Sequence, residues 1–163
     1  MDAKALRRLL PSNAQDAAAA KALVAMGAEE VAPLVPQLLR QMKDHKSPVA
    51  QIYCAFFAQE ARRFGSEVGH ALARSTLPEV RHKLLTCVLP HWPRDALVPL
   101  TGVLQMLVSH TDGFDTDLHA MRLLSEHQLC DADWLCQWLR FKKERLRTRT
   151  SLAQDIGRAL KVI

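Results

Sequence analysis

The chain has 163 residues, 48% of them hydrophobic and 24% charged, so it can fill and cover one folded core and is not a disordered chain. Glycine is scarce at 6 residues, and the Leu- and Ala-rich apolar content favours helix. No apolar run approaches the roughly 18 residues of a membrane span. Asp16 and Lys21 interrupt the Ala-rich N-terminal stretch that could otherwise suggest a signal peptide. We therefore expect an all-α, cytoplasmic protein.

Helix boundaries are visible near the N-terminus. Ser12 with Gln15 has the spacing of a capping box before an Ala-rich helix, and Gly27 is placed to close that helix. The next segment has the clearest helical period, and its apolar positions are Val31, Leu34, Val35, Leu38, Leu39 and Met42. Pro33 and Pro36 fall in the first two turns of this helix. The first turn accommodates proline easily, so we expect Pro36 to distort the start of the helix.

Further helices follow in the central part of the chain. Ser47 before Pro48 is typical of an N-cap and a first helical position, and the predicted buried stripe comprises Val49, Ile52, Tyr53, Phe56 and Phe57. Pro78 opens another helix with apolar positions at Val80, Leu84, Leu85, Cys87, Val88 and Leu89. Trp92 is expected to be buried between two helices. Asp95 is placed to cap a helix with Leu97, Leu100, Leu104, Leu107 and Val108.

The longest segment without a helical pattern runs from 110 to 117 and contains Asp112, Asp115 and Asp117. It lacks the residue order of a calcium-binding loop, so we expect an exposed acidic contact surface rather than a metal site. Asp117 is placed to cap the helix after it, over 118–129. A following helix contains Trp134 and Trp138, which we expect to be core, although an exposed pair would make a protein-binding anchor. Ser151 opens a last helix that reaches residue 163.

The formal charge of +5 comes from one segment, residues 140–149. Glu144 is the only acidic residue of this segment, and its six basic residues are Arg140, Lys142, Lys143, Arg145, Arg147 and Arg149. A solvated helix face, contact with nucleic-acid phosphates and contact with an acidic protein are three interpretations of this segment. Phe141 is its only aromatic residue, which is few for a nucleic-acid interface.

The sequence contains no motif for catalysis, cofactor binding or metal binding. The 7 histidines form no H-E-x-x-H pattern, and neither G-x-S-x-G nor a glycine-rich phosphate loop is present. The 4 cysteines form no CxxC pair, and they are Cys54, Cys87, Cys130 and Cys136. They lie in or at the ends of apolar helical patterns, so we expect free, buried thiols in a reducing compartment.

Short helices of this kind cannot bury their apolar stripes alone, so we expect them to stack as antiparallel pairs. Val31-Ala-Pro-Leu34 is similar to Leu97-Val-Pro-Leu100, which indicates an internal repeat. Pro78-Glu-Val80-Arg81, followed by spaced aliphatic residues, resembles the second helix of a HEAT repeat. This resemblance implies a short HEAT-like α-solenoid.

Residues 9–107 also resemble a small bacterial family of HEAT-like proteins of unknown function. The similar stretches are Leu10-Pro11, Val31-Ala-Pro-Leu-Val-Pro-Gln-Leu-Leu39, Pro48-Val49-Ala50 and Leu84-Leu85 through Leu89-Pro90. The family pattern favours an aromatic residue where this chain has Ser47. We expect one helical-repeat domain over 1–163, with the HEAT-like part at 9–107 and C-terminal helices at 108–163.

The resemblance implies a non-enzymatic protein-binding module, because HEAT-like stacks present a curved face whose outward residues can vary without disturbing the core. Small HEAT-like proteins also serve as immunity proteins, so we expect the partner to be a bacterial toxin, encoded nearby, that this chain inhibits. If the toxin is a nuclease, Asp112, Asp115 and Asp117 could mimic phosphates against its cationic cleft. The alternatives are a HEAT-like nucleic-acid-binding protein that uses Arg140 to Arg149, and an assembly scaffold.

Overall fold

A computed structural model describes residues 6–44, 46–110 and 112–145. The expected helix over 151–163 lies outside the described residues, as do Arg147 and Arg149. Every regular element among the described residues is helical, which confirms the all-α prediction. Within the same ranges, no single helix has the length and apolar character to cross a membrane. The segments Ala17–Val24 and Ala28–Gln41 reach that length and composition when they are taken together, but they are bent by 113° relative to each other.

The helices follow one another with short connections. They are α1 (Ala17–Val24), α2 (Ala28–Val31), α3 (Val35–Gln41), α4 (Pro48–Gln59), α5 (Ala61–Arg74), α6 (Pro78–Lys83), α7 (Arg94–Leu97), α8 (Thr101–Val108), α9 (Thr116–Glu126) and α10 (132–145). Two 3-10 turns, Ala32–Leu34 and Val98–Leu100, join α2 to α3 and α7 to α8. A π turn, Leu84–Val88, continues α6 and passes into the 3-10 turn Leu89–His91.

Side-chain caps fix the starts of α1 and α4. The cap of α1 is Asp16, whose carboxylate accepts from Ala19 N at 3.2 Å, so the predicted capping box of Ser12 and Gln15 does not form. Ser47 caps α4 as predicted, since its hydroxyl accepts from Ala50 N at 3.2 Å. The same hydroxyl donates to Ala14 O at 2.7 Å, which ties α4 to the loop before α1. These two bonds give the buried Ser47 a structural role.

The two similar sequence segments have the same local structure. Val31-Ala-Pro-Leu34 and Leu97-Val-Pro-Leu100 each end a short α-helix, pass through a 3-10 turn and begin the next helix. Pro33 and Pro99 occupy the second position of their turns, where the missing N–H disrupts least. The internal repeat is therefore confirmed at this local level. The distortion expected at Pro36 falls earlier, in the 3-10 turn Ala32–Leu34 that contains Pro33, and Pro36 lies in the first turn of α3.

The predicted apolar stripes form the core. The stripe that runs from α2 through the 3-10 turn to the end of α3 is almost completely buried. Leu39 is 5% exposed, and the other members are 0% exposed: Val31, Leu34, Val35, Leu38 and Met42. Tyr53 and Phe57 of α4 are also fully buried, whereas Phe56 is half-buried at the edge of its stripe. Trp92 is 1% exposed, and its Nε1 donates to Phe57 O at 2.9 Å. The burial predicted for Trp92 is therefore confirmed.

The helix predicted from Pro78 is α-helical only as far as Lys83, because the chain widens into the π turn. Thr86 Oγ1 donates to His82 O at 2.7 Å inside this segment. Four neighbouring aliphatic residues are 0% exposed there: Leu84, Leu85, Val88 and Leu89. The π turn packs against α4 and also against α9, so both of its flanks must be apolar.

Consecutive helices pack against each other: α3 on α4, α5 on α6, and α8 on α9. In addition, α5 contacts α3 as well as α7 and α8, whereas the π turn contacts α4 and α9, and α1 packs on α4. The chain forms two compact units, Met1–Leu129 and Cys130–Ile163. Helix α10 belongs to the second unit.

Candidate functional site

Helix α10 carries a row of aromatic side chains along one face. Trp134, Trp138 and Phe141 follow each other at helical spacing, with ring centroids 6.1 Å apart for the first pair and 5.6 Å for the second. The Trp138 and Phe141 rings are perpendicular, at 90°. Arg145 lies one turn further on, with its guanidinium carbon 5.6 Å from the Phe141 centroid. Edge-to-face and cation–π contacts thus hold these four side chains in a ladder.

This aromatic ladder is open to solvent. Phe141 is 51% exposed, which is a large value for an apolar side chain. Gln137, Trp138 and Phe141 line a shallow cavity of about 320 Å³. Trp134 and Trp138 are only part-buried, so the expectation that both tryptophans belong to the core is not met.

The basic residues of 140–149 that the structure describes do not share one surface. Arg140, Lys143 and Arg145 are exposed, whereas Lys142 is only 8% exposed and its Nζ lies 5.8 Å from the Trp138 ring centroid. Lys142 follows Leu135, which is 8% exposed, by two helical turns, so it lies on the buried face of α10. It is therefore the least exposed of the described basic residues predicted to contact a partner.

The three aspartates of the predicted acidic contact surface differ in their exposure to solvent. Asp112 is half-buried, and its carboxylate accepts from Phe114 N at 2.9 Å, Thr116 N at 3.2 Å and the Thr116 hydroxyl. Burial opposes ionisation of this carboxyl, but the hydrogen bonds from Thr116 and Phe114 outweigh it and lower the pKa of Asp112. The bonds hold the loop against the start of α9, so this carboxylate is directed inward.

The side chains of Asp117 and Asp115 have environments that differ from that of Asp112 and from each other. Asp117 is only 4% exposed and lies in the first turn of α9, with Oδ1 3.0 Å from Leu118 N, so it is not the predicted cap. Asp115 holds the N-cap position in a left-handed conformation, with φ of 52°, and its side chain makes no capping bond. Asp115 alone of the three is exposed, and the loop does not present three carboxylates together to solvent.

Two histidines join α6 to this loop and to α9. His82 Nδ1 donates to Phe114 O at 3.0 Å, and its ring lies 5.1 Å from that of His119 in an edge-to-face contact. Burial lowers the pKa of His119, with further lowering from His82 and Arg122. Among the described residues, no three His, Cys, Asp or Glu side chains are grouped so that they could hold a metal ion.

The cysteines have four different environments. All are free thiols, as predicted, but only Cys54 is buried, and Cys136 is exposed on α10. Burial raises the pKa of Cys54 to about 12, and the neighbouring Cys87 adds to the rise. Cys54 is therefore an unreactive core thiol rather than a nucleophile.

Two cavities flank α5. One, of about 630 Å³, lies between α5 and the segment of α7 and α8, and the exposed pair Arg62 and Asp95 lies 3.5 Å apart at its edge. The other, of about 350 Å³, lies between α3, α5 and the start of α6. Its charged lining includes Arg40 and Arg74. Sequence reasoning identified neither cavity, because the lining residues are far apart in the chain.

The comparisons with known proteins identify a family. The described residues define an all-helical protein with exposed aromatic side chains on its last described helix. The sequence model of DUF5071, a domain of unknown function, matches residues 9–129, and the chain belongs to that family. The match includes α9 and so extends beyond the expected span of 9–107, while α10 lies outside it. No curated protein and no solved structure matches the chain significantly.

Proposed function

We propose that this chain is a non-enzymatic protein-binding module built as a short HEAT-like stack of helix pairs. The order of helix contacts supports the stack. The first helices of successive pairs are neighbours, because α5 contacts α3 on one side and α7 and α8 on the other. The second helices are neighbours too, because the π turn after α6 contacts both α4 and α9. Contacts between successive pairs are the pattern expected of a solenoid.

The observation that carries the binding function is the aromatic ladder of α10. Tryptophan and arginine are the residues that most often dominate protein interfaces, and large aromatic anchors lose little entropy when they are buried. Here Trp138, Phe141 and Arg145 already hold one another in place, so a partner meets a partly ordered surface.

The more specific proposal is that the partner is a bacterial toxin that this chain inhibits as an immunity protein in the cytoplasm. The position of α10 supports this, because the helix lies outside the family match at 9–129. A surface outside the shared helix pairs can change with each toxin while the pairs remain the same. The free thiols are compatible with a reducing compartment.

The test is copurification of the chain with the product of the neighbouring gene, together with relief of that product's toxicity. Phe141→Ala and Arg145→Ala should each weaken binding about tenfold or more, which corresponds to about 1.4 kcal/mol. Lys143→Ala is the matched control, because it removes the same charge as Arg145→Ala from an exposed position on the opposite side of α10. Equal effects of Arg145→Ala and Lys143→Ala would show that the ladder is not the contact.

A nucleic-acid-binding function is the second candidate, favoured by the exposed Arg140, Lys143 and Arg145 on the helix that carries the aromatic rings. In that case affinity for DNA or RNA should fall steeply with salt, and Arg145→Ala and Lys143→Ala should weaken it equally. This result, combined with failure to copurify with the neighbouring product, would replace the protein-binding proposal. An assembly scaffold remains the third alternative, and it predicts several partners rather than one.

A further inference from the structure

The cavity between α3 and α5 combines an apolar wall with a positively charged rim. Its apolar lining includes Val35 at 0% exposure, Val80 at 2% and Leu39 at 5%, with Leu77 at the side. These residues come from α3 and from the start of α6, so the cavity lies where the two helices meet α5. A volume of about 350 Å³ is sufficient for one or two apolar side chains of a ligand.

The rim has one arginine from each wall. Arg40 is in the last turn of α3 and Arg74 is in the last turn of α5, and both are exposed. Neither forms an ion pair with another described residue. By contrast, Arg62 and Arg63 at the other end of α5 pair with Asp95 at 3.5 Å and Glu29 at 2.8 Å.

The remaining titratable lining is Glu67 and His70. Two guanidinium groups face one carboxylate, so the rim carries net positive charge. That charge argues against occupation by this chain's own segment 140–149 or by the same segment of a second copy, because both are basic. The complementary occupant is acidic and partly apolar.

We propose that this cavity binds an acidic segment of a protein partner. An apolar side chain of the segment fills the space beside Val35 and Val80, and carboxylates on either side of it pair with Arg40 and Arg74. Guanidinium groups suit this task because they bind carboxylates through two parallel hydrogen bonds. The inference is independent of the α10 ladder, and the two surfaces can be tested separately.

The experiment measures fluorescence anisotropy of a labelled peptide of about 12 residues, made of alternating Glu and Leu, titrated with the full chain. Two probes of the same length accompany it, one with Lys in place of Glu and one with Ser in place of Leu. The wild-type chain should bind the Glu/Leu peptide best, because only that peptide supplies both carboxylates and apolar side chains. Dissociation constants below about 1 mM are measurable in this format.

The variants address the arginines directly. Arg40→Glu with Arg74→Glu should weaken binding of the Glu/Leu peptide by about tenfold or more and should strengthen binding of the Lys/Leu peptide. Arg8→Glu with Lys21→Glu is the control for net charge, since both residues are exposed, neither lines the cavity, and Lys21 also lies in the last turn of a helix. Arg40→Gln with Arg74→Gln serves if circular dichroism shows that the glutamate variant does not fold.

A third variant, Ala71→Leu, places a larger apolar side chain in the cavity without changing the charge, and it should also weaken binding of the Glu/Leu peptide. Phe141→Ala should leave peptide binding unchanged, so loss of the α10 function cannot be mistaken for loss of this one. The proposal is overturned if the wild-type chain binds none of the peptides, binds Lys/Leu as tightly as Glu/Leu, or responds equally to the paired Arg variants and to their control.

Discussion

Asp112, Asp115 and Asp117 are the same residue type within one short loop, yet each carboxylate has a different environment. Asp112 holds the loop through bonds from Phe114 and Thr116, Asp117 is buried in the first turn of α9, and Asp115 is exposed. Spacing along the chain did not distinguish them, because the distinction depends on which backbone N–H groups each carboxylate reaches. One of the three, rather than all, remains available to a partner.

Asp112→Ala should lower the free energy of unfolding at pH 7 by about 1–2 kcal/mol, because Phe114 N and Thr116 N lose their acceptor. The pKa of Asp112 is lowered in the folded chain, so its ionised form stabilises the fold above the unfolded pKa of about 3.9, and this stabilisation is lost as pH falls through the folded value. The difference between variant and wild type should therefore shrink below about pH 4.

Urea unfolding at a series of pH values measures both parts of this prediction. Asp115→Asn is the control, because asparagine tolerates the left-handed backbone and the aspartate side chain makes no capping bond. An Asp112→Ala variant as stable as Asp115→Asn at pH 7 would contradict the role given to the loop carboxylate.

At the scale of the element, α5 is shaped by its glycines and by its neighbours. The backbone is bent at Phe64, with φ of −111° and ψ of 18°. Gly69 is close to the 3-10 turn that precedes α8, since a Cβ added there would lie 2.8 Å from Leu100 Cδ2. A Cβ added at Gly65 would meet nothing within 4 Å, and the same is true of Gly102 in α8. Of these three glycines, Gly69 alone has no room for a Cβ unless the Leu100 side chain shifts.

Gly65→Ala and Gly102→Ala should each raise the free energy of unfolding by about 0.5–1 kcal/mol, because alanine restricts the unfolded chain and favours helix. Gly69→Ala should gain less or lose stability, because the new methyl group displaces the buried Leu100 side chain. Thermal and urea unfolding of the three variants gives the comparison. If all three gain equally, α5 and α8 are less closely packed than the structure indicates.

At the scale of the whole molecule, two independent boundaries fall at the same place. The family match ends at residue 129, and the first compact unit is Met1–Leu129. Leu129 N donates to Leu124 O at 2.9 Å, which closes the end of α9. The helix pairs that bury the core are thus complete before α10 begins.

A chain of residues 1–129 should consequently fold alone, with helical circular dichroism and one cooperative thermal transition. It should not bind the partner through the α10 ladder, while the cavity between α3 and α5 should still bind the Glu/Leu peptide. The full chain measured in parallel is the reference. A truncated chain that aggregates or lacks a cooperative transition would show that residues 130–163 are needed for the fold.

The sequence by itself determined the helical class, the stripe from Val31 to Met42, the burial of Trp92 and the repeated turns at Pro33 and Pro99. These features follow from periodicity and from proline geometry, which act between residues near one another in the chain. The helical spacing of the aromatic and basic residues on α10 is also visible in the sequence.

Which side chains face solvent was decided only by the tertiary structure. Lys142 is buried and Phe141 exposed because α10 has one covered face, and periodicity cannot say which face that is. The π turn forms where one segment has to pack against both α4 and α9. Likewise, Arg40 and Arg74 share a cavity because folding brings α3 to α5. These outcomes depend on contacts between residues distant in sequence, and the sequence pattern of a single helix does not show which distant residues that helix will contact.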